Sequence, residues 1–372
     1  MKVVMTGGGT AGHVNPALSI AEIIKTREPD SHIEFIGTAD RLEAKLVPKA
    51  GYKLNTIEVY GLKRSLSPKN VAIMYKAYSS YRKCRKLLSE IKPDVVIGTG
   101  GYVSWPVCRA SASLGIPTVL HEANAAPGMA VKALDGKADL IMVNFAETLE
   151  LLKSGGKTKK EHVGMPINHG FYTVDRITER EKLFEGKERK YVLLSFGGSL
   201  GAEKINEAVL GMMKNYITKH PEILCIHSTG ARGYDAFMER FRAEGLDKYD
   251  NIKVYGYIYN MPELMSASDV VISRSGASTM SELSAIGKPS ILIPSPNVTN
   301  NQQYKNAKIF ADKDAAILIE NDKASGESLT QAADSLFSDP VKLRDMQKMA
   351  FSLSVQDIEG KIYNCIKSAV LG

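Results

Sequence analysis

Short runs of apolar, largely β-branched residues alternate with stretches of helical periodicity along the whole chain. Uninterrupted apolar runs of this length are typical of strands buried on both faces, and therefore of parallel sheets covered by helices. The pattern predicts an α/β fold with two doubly wound, Rossmann-like domains of six strands each. The predicted strands are 2–5, 33–36, 54–59, 94–97, 118–121 and 140–143 in the first half, and 191–196, 223–227, 252–255, 270–273, 290–294 and 316–319 in the second.

The two halves repeat the same plan of loops. A glycine loop follows the first strand of each half, TGGGTAG from residue 6 and SFGGSLGA from residue 195. A loop of small residues follows the fourth strand of each half, GTGGYVSWP at 98–106 and SRSGASTMSE at 273–282. Ligands of doubly wound sheets bind where loops leave the carboxyl ends of the strands. We therefore expect two parallel sheets that face a central cleft, with the function in these loops.

The segment 153–161 combines Ser-Gly-Gly with four lysines, which is typical of an exposed connection. We predict a first domain over 1–163 and a second over 164–349. A final helix over about 350–372 has no strand after it, and the sequence leaves open whether it packs back on the first domain.

Composition describes a globular protein, with 44% hydrophobic and 24% charged residues among 372. The four cysteines are widely spaced and form no C-x-x-C pair, which argues against a disulfide framework and a thiolate metal site and favours a reducing cytosol. The first strand begins at residue 2, so no signal peptide is expected. No apolar run approaches the ~20 residues that a membrane-spanning helix needs.

The net charge of +7 is concentrated in one region. No Asp or Glu occurs between residues 59 and 89, and a helix is predicted there over 69–90 with tyrosine and aliphatic residues at helical spacing. A basic amphipathic helix favours binding to an anionic membrane surface. The alternative is an ordinary solvated helix that packs its apolar stripe on the core; no nucleic-acid-binding motif accompanies the charge. The basic residues are Lys63, Arg64, Lys69, Lys76, Arg82, Lys83, Arg85 and Lys86.

The first glycine loop has the spacing of a dinucleotide-binding turn, Gly7-x-Gly9-x-x-Gly12. A dinucleotide site also needs an acid at the end of the second strand, where this chain has Gly37-Thr38. The loop is therefore better suited to another anion, bound by backbone N–H groups at a helix N-terminus. The helix dipole disfavours an imidazolium at His13, which would stay neutral as a general base. Alternatively, His13 simply hydrogen-bonds its neighbours.

The segment 278–282 opens a helix after a strand, and its N–H groups and hydroxyls suit a diphosphate. Glu282 is placed to accept two ribose hydroxyls, or it is a plain acid near a helix N-terminus. Gln302 and Gln303 offer both donors and acceptors, as the recognition of sugar hydroxyls requires. Arg274 and helix N-termini would stabilise a leaving diphosphate, so the expected site needs no metal and no cofactor.

Six segments, in order, resemble the MurG family of peptidoglycan N-acetylglucosaminyltransferases, glycosyltransferase family 28. The resemblance implies a GT-B fold and inverting transfer of GlcNAc from UDP-GlcNAc to the 4-hydroxyl of undecaprenyl-diphosphate-linked MurNAc-pentapeptide (lipid I to lipid II). It also implies a peripheral enzyme on the cytoplasmic face of the cell membrane, with cell-wall synthesis proteins as further partners. The segments are GGGTAGHVNPALSIA (7–21), GGYVSWPVCRAS (100–111), HEANAAPG (121–128), LSFGGSLGA (194–202), RSGASTMSELSAIGKPSILIP (274–294) and NNQQYKNA (300–307).

The resemblance also implies roles for individual residues. His13 is the first candidate for the base and Glu122 the second, with Tyr102 in the same catalytic group. The implied UDP-GlcNAc-binding residues are Thr10, Ala11, Gly12, Asn124, Asn168, Ser199, Ile258, Arg274, Ala277, Ser278, Thr279, Met280, Ser281, Glu282, Gln302 and Gln303. The implied acceptor-diphosphate and membrane contacts are Gly9, His13, Lys63, Arg64, Lys69, Lys76, Arg82 and Lys83.

Three positions depart from the family pattern. Asn168 and Asn301 stand where the family usually has arginine, and Ala123 replaces a glutamine. These departures leave open a catalytically impaired sugar-nucleotide-binding homologue. A diacylglycerol glycosyltransferase shares the fold and the basic patch. A UDP-GlcNAc 2-epimerase shares the fold but needs further acids, which the sequence does not supply.

Overall fold

The computed structural model describes residues 1–59, 69–153, 156–198 and 200–372, and for 69–77 the backbone alone. Three of the predicted site residues, Lys63, Arg64 and Ser199, lie outside the described residues, as do the side chains of Lys69 and Lys76. The chain divides into two compact units, Met1–Pro166 with Val355–Gly372, and Ile167–Ser354.

The first unit is a seven-stranded sheet covered by helices. Its strands are β1 (Lys2–Thr6), β2 (His32–Gly37), β3 (Lys53–Thr56), β4 (Val95–Gly98), β5 (Thr118–Glu122), β6 (Leu140–Val143) and β7 (Lys159–His162). Its helices are α1 (Ala11–Arg27), α2 (Glu43–Lys49), α3 (Lys69–Ile91), α4 (Ser104–Ser113), α5 (Met129–Leu134) and, from the end of the chain, α15 (Ile358–Leu371). A short 3₁₀ helix spans Ala146–Leu151.

The second unit repeats this plan around six strands. They are β8 (Tyr191–Phe196), β9 (Ile223–Ser228), β10 (Ile252–Tyr255), β11 (Val270–Ser273), β12 (Ser290–Leu292) and β13 (Ala316–Leu318). Its α-helices are α6 (Gly170–Thr173), α7 (Arg176–Phe184), α8 (Glu203–Asn215), α9 (Tyr234–Ala243), α10 (Met261–Ala267), α11 (Ala277–Ala285), α12 (Gln302–Asp312), α13 (Gly326–Phe337) and α14 (Pro340–Ser352). Its 3₁₀ helices are Ile217–Lys219, Leu246–Lys248 and Thr299–Asn301.

Strand order explains why four particular loops matter. The first sheet runs β3-β2-β1-β4-β5-β6-β7 and the second β10-β9-β8-β11-β12-β13, with parallel pairing throughout. The order reverses between β1 and β4, and between β8 and β11, so the loops after these strands diverge and leave a crevice at the carboxyl ends. The four glycine- and serine-rich loops predicted to carry the function follow these four strands.

Each sheet buries both faces, as the apolar runs predicted. Val3 and Met5 pack with α1 and α15 on one face of the first sheet, while Val4 packs with α3 and α4 on the other. In the second unit, Leu193 belongs to a core built with α8 and α13. Alternation of side chains along a strand distributes neighbouring residues to opposite faces.

Two local predictions were wrong. The segment predicted as an exposed connection contains the edge strand β7, whose residues are charged or polar because an edge position is only half covered. The single final helix is two helices, since α14 ends at Ser352 and α15 begins at Ile358. The last helix packs on the first unit, where Ile362 and Ile366 are fully buried.

Glu28 joins this last helix to α1. Its Oε1 accepts hydrogen bonds from Tyr363 Oη at 2.7 Å and Lys367 Nζ at 2.8 Å, and its Oε2 lies 3.1 Å from the N-terminal ammonium of Met1. The hydrogen bonds from Lys367 and Tyr363 lower the pKa of Glu28 to about 2. The carboxylate therefore contributes stability above its ordinary pKa of 4.5, and that contribution is lost as the pH falls towards 2.

We expect Glu28→Gln to lower the melting temperature of the first unit at pH 7 by roughly 2–4 °C. The difference from the unsubstituted protein should shrink as the pH falls from about 5 towards 2, because both forms then lack the charge. Thermal unfolding followed by circular dichroism across this pH range measures it. Glu22→Gln, an exposed position on the same helix, is the control and should show no such trend. Equal melting temperatures at pH 7 would contradict the assigned role.

Candidate active site

His13 lies in the first turn of α1, directly after the first glycine loop. Its Nδ1 is 3.0 Å from Thr10 Oγ1, and the ring is half-buried. Burial lowers the pKa of His13, and the negative charge of Glu43 opposes that shift. The imidazole is therefore neutral at pH 7. A ring that donates from Nδ1 to Thr10 keeps Nε2 unprotonated, as a base requires.

The loop after β4 packs directly against this histidine. Gly100 has a φ of +106°, and a Cβ there would lie 2.5 Å from His13 Cδ2. Thr99 Oγ1 donates to the carbonyl oxygen of His13 at 2.6 Å. The two glycine loops of the first unit thus form one surface, in which a side chain at residue 100 would displace the histidine ring.

Glu122 holds the turn that follows β5. Its Oε1 accepts from the N–H of Asn124 at 3.0 Å, and its Oε2 accepts from the N–H of Gly128 at 2.7 Å. Burial raises the pKa of Glu122, and these hydrogen bonds partly oppose the shift. Both oxygens of Glu122 therefore accept hydrogen bonds from within the turn. Tyr102 is 57% exposed at the neighbouring loop.

In the second unit, α11 opens directly after β11. Gly276 precedes it without a side-chain cap, so the first-turn N–H groups have no side-chain acceptor there. Ser278 and Thr279 are half-buried in this turn, and Met280 and Ser281 are buried behind it. The helix N-terminus thus presents hydroxyls and N–H groups together, an arrangement that suits a phosphate.

Glu282 follows one turn later on α11. Burial raises its pKa to about 7, and we find no hydrogen bond or ion pair for its carboxylate within the described ranges. This half-buried carboxylate therefore keeps its acceptor capacity for a ligand. Two hydroxyls of a ligand could donate to it.

Helix α12 is fastened to the same loop by residues that the sequence did not single out. Ser275 Oγ donates to the carbonyl oxygen of Gln303 at 2.8 Å, and the buried Asn306 donates from Nδ2 to the carbonyl oxygen of Ser275 at 3.1 Å. Gln303 Oε1 accepts from the N–H of Ser295. Gln303 therefore supports the loop after β12, whereas Gln302 stands half-buried at the first position of α12.

Three other predicted donor contacts have local roles. Arg274 Nη1 donates to the carbonyl oxygens of Ile293 and Pro294 and to Asn321 Oδ1, so it braces the loop after β12. Asn168 is exposed, and its Oδ1 accepts from the N–H of Gly170. Ile258 is buried after β10.

In the described part of α3, the basic side chains lie on the exposed face and the apolar side chains on the buried face. Arg82, Lys83, Arg85 and Lys86 are exposed, whereas Cys84 and Leu88 are fully buried. Tyr78, a member of the tyrosine and aliphatic residues at helical spacing, is 57% exposed and does not pack on the core, whereas Cys84, Leu88 and Ile91 do. Within the described ranges, no helix is long and apolar enough to cross a membrane, and no cluster of three or more His, Cys, Asp or Glu could hold a metal ion.

Comparison with known proteins identifies the family. Residues 3–143 match the glycosyltransferase family 28 N-terminal domain and residues 192–362 its C-terminal domain. The chain is 40% identical over 369 residues to the UDP-N-acetylglucosamine–N-acetylmuramyl-(pentapeptide) pyrophosphoryl-undecaprenol N-acetylglucosamine transferase of Desulforamulus reducens, with 99% of this chain and 98% of that one covered. The protein of the same name from Acetivibrio thermocellus is 41% identical over 367 residues, with 99% and 98% covered. The chain belongs to glycosyltransferase family 28.

A solved structure supports the same assignment. The crystal structure of Acinetobacter baumannii MurG superimposes with a TM-score of 0.81 at 25% identity, and 99% of each chain is covered. The chain is therefore a family 28 glycosyltransferase with a GT-B fold. This confirms the predicted fold and enzyme class. The four loops at the carboxyl ends of β1, β4, β8 and β11 carry most of the candidate site residues.

Proposed function

We propose that this glycosyltransferase moves GlcNAc from UDP-GlcNAc to the 4-hydroxyl of undecaprenyl-diphosphate-linked MurNAc-pentapeptide. The observation that carries the proposal is the sequence identity of 40% and 41%, over nearly the full length of the chain, with relatives named for that reaction. The half-buried carboxylate of Glu282, one turn after a helix N-terminus, supports a nucleotide donor in the second unit.

The second unit would bind the donor. The N–H groups and hydroxyls of Ser278 and Thr279 would hold the diphosphate and stabilise it as it leaves. Glu282 would accept both ribose hydroxyls, and Gln302 would bind the sugar hydroxyls. The family resemblance also gives Thr10, Ala11, Gly12 and Asn124 of the first unit as UDP-GlcNAc-binding residues, and the first unit would bind the acceptor.

His13 would be the base in this reaction. Its Nε2 would take the proton of the acceptor 4-hydroxyl as that oxygen forms a bond to C1 of GlcNAc. The bond from C1 to the UDP oxygen breaks on the opposite face, so the configuration at C1 inverts. UDP then leaves with the bonding electron pair, and the proton stays on His13 until solvent removes it.

Transfer of label from UDP-GlcNAc tests this function. The purified protein is incubated with EDTA and either a short-chain lipid I analogue or diacylglycerol. We expect label in the lipid I analogue alone, with the rate unchanged by EDTA. Label in diacylglycerol would replace the proposed acceptor. Binding of UDP-GlcNAc without transfer to either lipid would identify a non-catalytic homologue, for which Asn168 and Asn301 are the first positions to restore to arginine.

The exposed basic face of α3 supports peripheral binding to the cytoplasmic, anionic face of the membrane. Each Lys or Arg near such a surface contributes about 1 kcal/mol. We expect Arg82→Glu with Lys83→Glu to reduce partitioning onto phosphatidylglycerol vesicles by at least about tenfold. Co-sedimentation measures the bound fraction, with phosphatidylcholine vesicles as the uncharged reference.

The control for this experiment reverses two exposed lysines of the second unit, Lys219→Glu with Lys248→Glu. It has the same net charge as the α3 variant and should bind vesicles as the unsubstituted protein does. Equal losses in both variants would show that net charge, and not this face, drives the binding.

A further inference from the structure

Glu43, the first residue of α2, lies under the first glycine loop with its carboxylate buried. Its Oε2 accepts from the N–H of Gly9 at 2.9 Å. Its Oε1 accepts from the hydroxyl of Thr38 at 2.7 Å and from the N–H of Thr38 at 3.2 Å. The residue thereby links the end of β2 to the loop that follows β1.

The loop is shaped around this side chain. A Cβ at Gly8 would lie 2.4 Å from Glu43 Oε1, so a glycine is required for the carboxylate to come this close. Burial raises the pKa of Glu43, but the hydrogen bonds from Gly9 and Thr38 outweigh it and lower the pKa overall. The carboxylate is therefore ionised at neutral pH, and its charge is held in a fixed position.

A buried negative charge is unfavourable beneath a loop that only binds a phosphate. It takes the N–H of Gly9 away from a ligand and repels a second anion. A glutamine in this position would keep only one acceptor oxygen, so either Gly9 or Thr38 would lose its acceptor. The charge is favourable for a different group, because it stabilises a proton on His13 at the other end of the same loop.

We propose that Glu43 is a positioning residue of the transfer reaction, which holds the glycine loop and places a fixed negative charge near His13. Among the described residues, the other groups that contact His13 are uncharged: Thr10 from its own loop, and Thr99 and Gly100 from the loop after β4. Glu43 from α2 is the charged group that acts on the ring. When His13 takes the acceptor proton, this charge stabilises the imidazolium. The inference rests on the proposed function through His13.

Glu43→Gln keeps the size of the side chain but removes the charge and one of the two accepting oxygens. We expect the His13 pKa to fall, kcat to fall at least about tenfold, and the KM for UDP-GlcNAc to change little. The acidic limb of the kcat/KM profile, which reports the free enzyme, should move to lower pH by the same amount as the histidine titration. NMR titration of histidine-labelled protein measures the pKa, with His13→Gln to assign the signal. Since this readout needs no substrate, it decides the inference even where the lipid acceptor is not turned over.

Glu34→Gln is the matched control, because Glu34 is a buried carboxylate of the same sheet that binds Asn55, His32 and Lys53 away from the loop. It should leave the His13 titration and kcat unchanged. An unshifted His13 titration in Glu43→Gln would overturn the inference while leaving the proposed function intact. If Glu43→Gln does not fold, Thr38→Val decides: it removes one hydrogen bond to the carboxylate, and kcat at the unsubstituted level would overturn the positioning role.

Discussion

His13→Gln is expected to lower kcat by roughly 10²- to 10⁴-fold, the range that a positioned general base contributes. Glutamine keeps the approximate size of the ring against Gly100 but cannot take a proton from the acceptor hydroxyl. The KM for UDP-GlcNAc should change less than kcat, because most of the proposed donor contacts lie in the second unit, on or near α11 and α12. Steady-state kinetics with varied UDP-GlcNAc, at a saturating concentration of a lipid I analogue, measures both parameters.

The pH dependence gives this prediction a second check. Burial keeps the pKa of His13 below its ordinary value of 6.5, so the base form is present at pH 7 and is lost as the pH falls through that pKa. The unsubstituted enzyme should show an acidic limb in kcat below pH 6.5, and His13→Gln should lack it. His32→Gln, on the exposed end of β2, is the control. Retained kcat in His13→Gln would exclude His13 as the base and turn attention to Glu122.

Glu282→Gln is expected to weaken UDP-GlcNAc binding by roughly 10- to 100-fold, which corresponds to about 1.5–3 kcal/mol for hydrogen bonds to a charged acceptor. The free enzyme holds this carboxyl at a pKa of about 7 because burial disfavours its charge. Two donating ribose hydroxyls favour the ionised form. Donor affinity should therefore rise as the pH increases from 6 to 8 and level off above.

Isothermal titration calorimetry at several pH values measures this dependence, since the diphosphate diester of UDP-GlcNAc does not titrate in that range. Glu282→Gln should have a weak affinity that no longer varies between pH 6 and 8. Glu263→Gln, at a half-buried glutamate of the same unit, is the matched control and should bind as the unsubstituted protein. A pH-independent affinity in the unsubstituted enzyme would contradict the role given to Glu282.

Some candidate site residues can be selected from the residues next to them in the sequence, whereas others depend on long-range contacts. His13 and Glu282 could be selected from the sequence because each lies in a helix that begins directly after a predicted strand and a loop of small residues. Glu43 could not, since it meets Gly9 only after β2 has been placed beside β1. The same holds for Asn306, which reaches Ser275 from a different helix. Such contacts join residues far apart in the chain, where no periodicity records them.

Burial on both faces of a strand is a property of consecutive residues, so the sequence by itself determined the parallel sheets, the glycine loops and, through the order of its motifs, the family. The tertiary structure decided what long-range packing controls. It showed the polar edge strand β7 and the packing of α15 on the first unit. It also showed that Arg274 and Glu122 form hydrogen bonds that hold loops in place. It also brought Gly100 and Glu43 to the loop that carries His13. The physical reason is that a short apolar run reports its own burial, whereas the partner of a buried polar group depends on which strands become neighbours.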